Sequence, residues 1–143
     1  YIKDYLTENG YEYEDFGTDF DVPADYPDIA EVVAKSVRDK DFDCGILICG
    51  TGIGMSIAAN KVKGAYAALL TDVYSAQPSV LSNNANIACM GAFTIGSKLA
   101  EELLKTFLSL RFDPDCASAP KVGSCPACAT GRRTSPARSW SCS

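Results

Sequence analysis

Apolar positions along the chain fall into two kinds of run, some at helical spacing and others short and continuous. Tyr1, Ile2, Tyr5 and Leu6 follow helical spacing, and Asn9-Gly10 reads as a helix stop. Tyr11 to Phe16 alternates aromatic with acidic residues, as a half-exposed strand does. Residues 17–27 are rich in turn formers. A helix is predicted from about Pro27 to Arg38, with Pro near its first turn and Ile29, Val32, Val33 and Val37 on one face. Cys44 to Cys49 (CGILIC) is apolar without alternation, the pattern of a strand buried on both faces. Gly50-Thr51-Gly52-Ile53-Gly54 follows at once, then a helical stretch from Met55 to Val62. Ala65 to Leu70 predicts a second buried strand, and Asp72 to about Asn83 a helix with Pro78 in its first two turns. Ile87 to Met90 predicts a third strand. Ile95 to Phe112 predicts a long amphipathic helix with Leu99, Leu103, Phe107 and Leu110 inward.

Strand and helix alternate with short connections, which predicts an α/β fold with a parallel sheet covered by helices on both faces. The periodicity stops near Asp113. Beyond it Ala, Ser, Pro, Gly, Cys and Arg dominate, so a structured domain is expected over 1–112 and a disordered or weakly attached tail over 113–143.

Charge sharpens that division. Residues 1–116 hold nine Lys and Arg and all eighteen Asp and Glu, whereas residues 117–143 hold four basic residues and no acid. The net charge of −5 disfavours nucleic acid as a general partner. No run reaches the roughly 18 apolar residues of a membrane helix, so no membrane partner is expected. The N-terminus lacks the layout of a secretory leader, and it opens at Tyr1 inside a helical pattern, so upstream residues are expected.

Seven Cys without such a leader predict free thiols and a cytoplasmic location. The chain has no His, so acid–base work near neutral pH must fall to Cys, a carboxylate, Lys or Tyr. Cys125-Pro126-Ala127-Cys128 lacks the strand and helix flanks of a redox pair and the four ligands of a zinc site, so no metal is assigned there.

The sharpest local feature is Cys49-Gly50-Thr51-Gly52-Ile53-Gly54 between a buried strand and a helix. In an open parallel sheet ligands bind beyond the carboxyl ends of the strands, where this loop lies. Glycines let backbone approach a ligand closely, and successive N–H groups at a helix start attract a phosphate or an oxyanion. The same donors would favour the thiolate of Cys49. A tight turn with a buried structural Cys is the plainer alternative. The dinucleotide fingerprint is partial: Met55 stands where its third Gly would be, while Asp72 lies about 20 residues on, where a ribose-binding acid is expected. A nucleotide-binding module of an oxidoreductase therefore stays open, to be tested by titrating NAD. A Walker loop is excluded, since no Gly-Lys-Ser/Thr follows.

Cys44 to Gly64, CGILICGTGIGMSIAANKVKG, closely resembles a signature segment of the family that joins ribose-5-phosphate isomerase B with the galactose-6-phosphate isomerase subunits. The likeness runs on through Asp25-Tyr26-Pro27, Tyr74-Ser75-Ala76, Asn83 with Asn86 and the Gly91 region, covering roughly residues 1–112. The resemblance implies a Rossmann-like three-layer sandwich that forms a homodimer with shared active sites, with tetramers as a further assembly. It implies reversible aldose–ketose isomerisation of a sugar phosphate, ribose 5-phosphate first among the candidates, without metal or cofactor.

By that resemblance Cys49 is the base that moves a proton between C2 and C1 through a cis-enediolate, and Thr51 shuttles protons between the sugar oxygens. Gly50, Gly52 and Gly54, with Asn83, stabilise the enediolate oxyanion, and Tyr26 lines the sugar site. Each has a structural alternative: Asn83 as a helix C-cap, Tyr26 as packing before a helix, Thr51 as a partner for turn backbone. The chain also departs from the family. The usual first strand ending in Asp-His is absent, Ser82 stands in place of a ring-opening His, and the phosphate-binding arginines fall on Ala117 and Lys121. Ser82 and Lys121 are kept as substrate-binding candidates, Lys121 as a point charge without the grip of Arg. An inactive dimeric remnant, in which Cys49→Ala changes nothing, is the third reading.

Overall fold

A computed structural model describes residues 1–18, 22, 24–124 and 139–142. Six helices and five strands occur among them: α1 Ile2–Glu8, β1 Glu12–Asp15, α2 Tyr26–Arg38, β2 Cys44–Cys49, α3 Ile53–Ala59, β3 Ala67–Leu69, α4 Val73–Leu81, β4 Ile87–Gly91, α5 Ser97–Ser109, α6 Ala119–Ser124 and β5 Ser139–Cys142. The strands form one sheet in the order β1-β5-β2-β4-β3, parallel at every junction. This is the expected Rossmann-like sandwich.

Strand alternation explains its two cores. Cys44 and Ile46 of β2 and Ala88 and Met90 of β4 point to one face, where they meet Leu6 of α1, Val80 of α4 and Leu103, Leu104 and Phe107 of α5. Leu47, Ile87 and Cys89 point to the other, against Val33 and Val37 of α2 and Met55 and Ala59 of α3. A sheet buried on both faces needs no polar alternation, which is why β2 and β4 read as continuous apolar runs.

Element positions follow the sequence pattern closely, with differences at the ends. With Gly52 as its N-cap, α3 starts at Ile53, two residues before the expected Met55, and β3 is only Ala67–Leu69. On α2, Val32 is 46% exposed instead of inward, because Val33, Ala34 and Val37 already fill the face against the sheet. On α5 the inward stripe includes Leu104 and Leu108, while Leu110 stands beyond the helix in extended backbone and packs half-buried on the core.

The segment beyond Asp113, which carries no periodicity, supplies α6 and β5. β5 occupies the place between β1 and β2, so no open edge faces either strand there. Its four residues are too few to show a period, and they lie far in sequence from both neighbours. Cys125 and Cys128 lie outside the described residues.

Candidate active site

Parallel strands send their carboxyl ends to one edge, and the glycine loop stands there. β2 ends at Cys49, and the chain turns into α3 through Gly52, whose φ of +77° is a left-handed conformation that only glycine adopts freely. The space is as restricted as the backbone: a Cβ on Gly52 would lie 2.6 Å from Leu69 Cδ1 and 2.8 Å from the Met90 carbonyl carbon. The turn brings the Gly52 N–H onto the Cys49 sulfur, with N···Sγ 3.2 Å.

Neighbouring strands and helices clamp the loop. The Ala92 N–H donates to the Cys49 carbonyl at 2.8 Å and the Phe93 N–H to the Gly50 carbonyl at 2.9 Å. The Tyr26 ring at the start of α2 lies across Gly54, where an added Cβ would meet it at 2.8 Å. Thr51 is exposed, and its Oγ1 accepts only a long contact from the Ile53 N–H at 3.4 Å. Its hydroxyl therefore faces outward at the loop tip, beside a half-buried thiol and a half-exposed phenol.

A second thiol, Cys89, faces the same side of the sheet. It sits on β4 opposite Leu47, two residues before the level of Cys49, and is fully buried. Burial, with a smaller push from Cys49, raises its pKa from 9.0 to about 12 against the Ser56 hydroxyl that bonds it. Cys89 therefore stays a neutral thiol. Sequence reading missed this neighbour, because strand register decides which residues of two apolar runs become adjacent.

A cavity of about 540 Å³ opens beside the loop, lined by Lys3, Asp15, Thr18, Ile29, Ile48 and Met55 among others. The Lys3–Asp15 ion pair crosses its rim and ties α1 to β1. Partial burial pushes the Asp15 carboxyl up, but the Lys3 bond and the Gly17 N–H outweigh it and hold the pKa below the ordinary 3.8.

Ser82, Asn83 and Lys121 are elsewhere. α4 and α5 run from the carboxyl edge back to the amino edge, so the end of α4 lies near the start of β4. Ser82 is the C-cap of α4, and Asn83 Nδ2 donates to the Pro78 carbonyl at 3.0 Å, closing the helix end. The segment leading to α6 docks there too: the Asp113 N–H donates to the Leu81 carbonyl, and Cys116 Sγ lies 4.0 Å from the Ser82 carbonyl. Lys121 is exposed on α6. About 16 Å of strand separates the two edges, so one chain does not bring the two groups together.

Asp72, the acid that kept a nucleotide reading open, is the N-cap of α4. Its carboxylate accepts the Ser75 hydroxyl at 2.7 Å and the Ser75 N–H at 2.8 Å, and these bonds lower its pKa. Met55 is buried under α2 instead of leaving room for a pyrophosphate. Neither residue supports a dinucleotide site.

The pattern of the ribose/galactose isomerase family matches residues 1–124, including this loop and all three candidates at the far edge. The chain belongs to this family. A D-erythrulose-4-phosphate isomerase from Mycolicibacterium smegmatis is 54% identical over 97 residues, covering 68% of this chain and 64% of that protein. A ribose-5-P isomerase B from Listeria innocua is 50% identical over 107 residues, covering 75% and 72%. A solved ribose-5-phosphate isomerase B from Clostridium thermocellum superposes with a TM-score of 0.81 at 44% identity, covering 85% of this chain and 82% of that one. The ribose/galactose isomerase relatives thus share the sheet and loop, while the chain spans under two thirds of the first relative's length. Among the described residues no helix is long and apolar enough to cross a membrane, and no group of three or more His, Cys, Asp or Glu is arranged to hold a metal ion.

Proposed function

We propose that the protein is an aldose–ketose isomerase of phosphorylated sugars, with ribose 5-phosphate and ribulose 5-phosphate as the first pair to test. The observation that carries this reading is the half-buried Cys49 sulfur at the strand end, met by the Gly52 N–H at 3.2 Å, in a family with members named as ribose-5-phosphate and erythrulose-4-phosphate isomerases. A proton next to a carbonyl is weakly acidic, so the site requires a placed base and a dry pocket for the anion. The Cys49 thiolate takes the C2 proton of the open-chain aldose as the electron pair moves onto the carbonyl oxygen, forming a cis-enediolate. The thiol returns a proton at C1, and the exposed Thr51 hydroxyl moves the remaining proton between the two sugar oxygens. The backbone of Gly50–Gly54 faces the developing oxyanion, and Tyr26 borders the sugar.

The chain acts as a homodimer in the cytoplasm. Ser82, Asn83 and Lys121 lie at the opposite edge from Cys49, a separation that a shared site resolves by having a second copy supply them. Substrate length is open among four-, five- and six-carbon sugar phosphates, since relatives are named for erythrulose 4-phosphate, ribose 5-phosphate and galactose 6-phosphate. The test is isomerisation of ribose 5-phosphate in D₂O followed by proton NMR. Ribulose 5-phosphate carrying solvent deuterium, absent with Cys49→Ala, is expected. Turnover unchanged by Cys49→Ala would remove the thiol from the mechanism, and no turnover with any of the three sugar phosphates would leave the remnant reading.

A further inference from the structure

Backbone conformation explains one glycine of the loop and leaves two unexplained. Gly52 has a positive φ, whereas Gly50 and Gly54 do not. Each of these two has an aromatic ring where a side chain would stand. A Cβ on Gly54 would meet Tyr26 of α2, and a Cβ on Gly50 would lie 2.9 Å from Phe93 Cε2 and 3.1 Å from Cδ2. The two rings come from opposite layers. Cys49 packs against the α2 and α3 layer, so strand alternation turns the next position toward the α5 layer, into which Phe93 leads.

The turn that carries Phe93 touches three consecutive residues of the loop. The Ala92 N–H bonds the Cys49 carbonyl, and the Phe93 N–H bonds the Gly50 carbonyl at 2.9 Å beneath its own ring. A Cβ on Gly91 would lie 2.6 Å from the Thr51 carbonyl carbon, so the end of β4 packs directly on the third. The contact between the Gly52 N–H and the Cys49 sulfur closes back across Gly50 and Thr51, so a shift of Gly50 reaches the sulfur. The ring itself is 89% exposed and therefore adds little burial to the fold as a whole. Its contact with Gly50 is local, one residue from the thiol.

We propose that Phe93 is a positioning residue for Cys49: its ring seats on Gly50 and fixes the strand-end peptide that aims the sulfur, and position 50 is glycine to admit the ring. Its effect on turnover rests on the isomerase reading, while its effect on the loop does not. Hydrogen exchange and steady-state kinetics test it on the full chain and on Phe93→Ala, Phe93→Tyr, Gly50→Ala and the Gly50→Ala/Phe93→Ala pair. In Phe93→Ala the Gly52 amide should exchange at least about fivefold faster, with Ile87–Met90 unchanged. On ribose 5-phosphate kcat should fall about tenfold or more at a KM within about twofold, because a misplaced base acts on the chemical step. Phe93→Tyr should reverse both changes, since Cδ2 and Cε2 make the contact and Cζ stands 3.9 Å off, with room for a hydroxyl. Gly50→Ala should cost less kcat beside Phe93→Ala than alone, because the ring it displaces is gone. A Gly52 amide unmoved by Phe93→Ala overturns the proposal whatever the turnover. So do strictly multiplicative losses in the pair, or a raised KM at constant kcat, which would make the ring a substrate contact. A wild type inert toward every sugar phosphate removes the isomerase reading and leaves exchange at Gly52 to decide the role of Phe93.

Discussion

The two edges of the sheet are built differently. At the carboxyl edge, backbone conformation, close contact and hydrogen bonding all act on one loop: Gly52 at positive φ, Tyr26 across Gly54, and two β4–α5 amides bonded to Cys49 and Gly50. At the amino edge, Ser82 and Asn83 end a helix, and Lys121 stands exposed on a short one. The first edge is fixed by contacts already made within the chain, which suits the proton transfer proposed for Cys49. The second offers polar groups with latitude, which suits contacts completed by another molecule. The difference teaches that a list of candidate residues read along a chain need not describe one place in that chain.

The largest expected effect tests whether the edges meet across a dimer. Cys49→Ala should lower kcat by about 10²–10⁴-fold, and Asn83→Ala, as loss of an oxyanion donor, by about 10²–10³-fold. Unfolding and refolding the two inactive variants together should recover roughly a quarter of wild-type activity, because half the dimers are mixed and each mixed dimer holds one intact site. A mixture as inert as its components would separate the edges functionally.

Next in size is the stability contrast. Gly52→Ala combines a left-handed backbone with a clash on Met90 and should destabilise by about 2–4 kcal/mol in urea unfolding. Asn83→Ala, at an exposed helix end, should move the same midpoint far less. Equal shifts would erase the distinction in rigidity.

The smallest effect separates the two thiols by pH. The Cys89 pKa is raised from 9.0 to about 12, so the folded state keeps a proton that the unfolded state loses. Its contribution is fully present below pH 9 and is lost as pH rises toward 12. Unfolding free energy should fall over that interval, and Cys89→Ala should flatten that part of the slope. A slope indifferent to Cys89→Ala would mean that solvent reaches the thiol.

Much of this was legible from residue order. Apolar runs at Cys44–Cys49 and Ile87–Met90 gave the buried strands, and the glycine loop was placed at the correct edge because a parallel sheet leaves it no other position. What stayed hidden depends on register and on distance along the chain. Val32 fits a helical stripe but misses the face that packs. Cys89 gains its role from the residue opposite, Leu47, and from the half-buried thiol two residues further along. Asn83 looked like a ligand beside Cys49 until α4 carried it to the other end of the sheet. β5 was invisible, since four residues without a pattern cannot announce a strand.

The place of β5 has a consequence for the order in which the molecule can be made. Glu12 leaves the ribosome long before Ser139, yet they are partners in the sheet. β2, β3 and β4 can assemble while synthesis continues, but the flank from β1 to β2 must wait for β5. During that interval two strand edges stand open to any extended polypeptide nearby, and crowding at this stage rather than equilibrium stability would decide the yield of correctly closed protein.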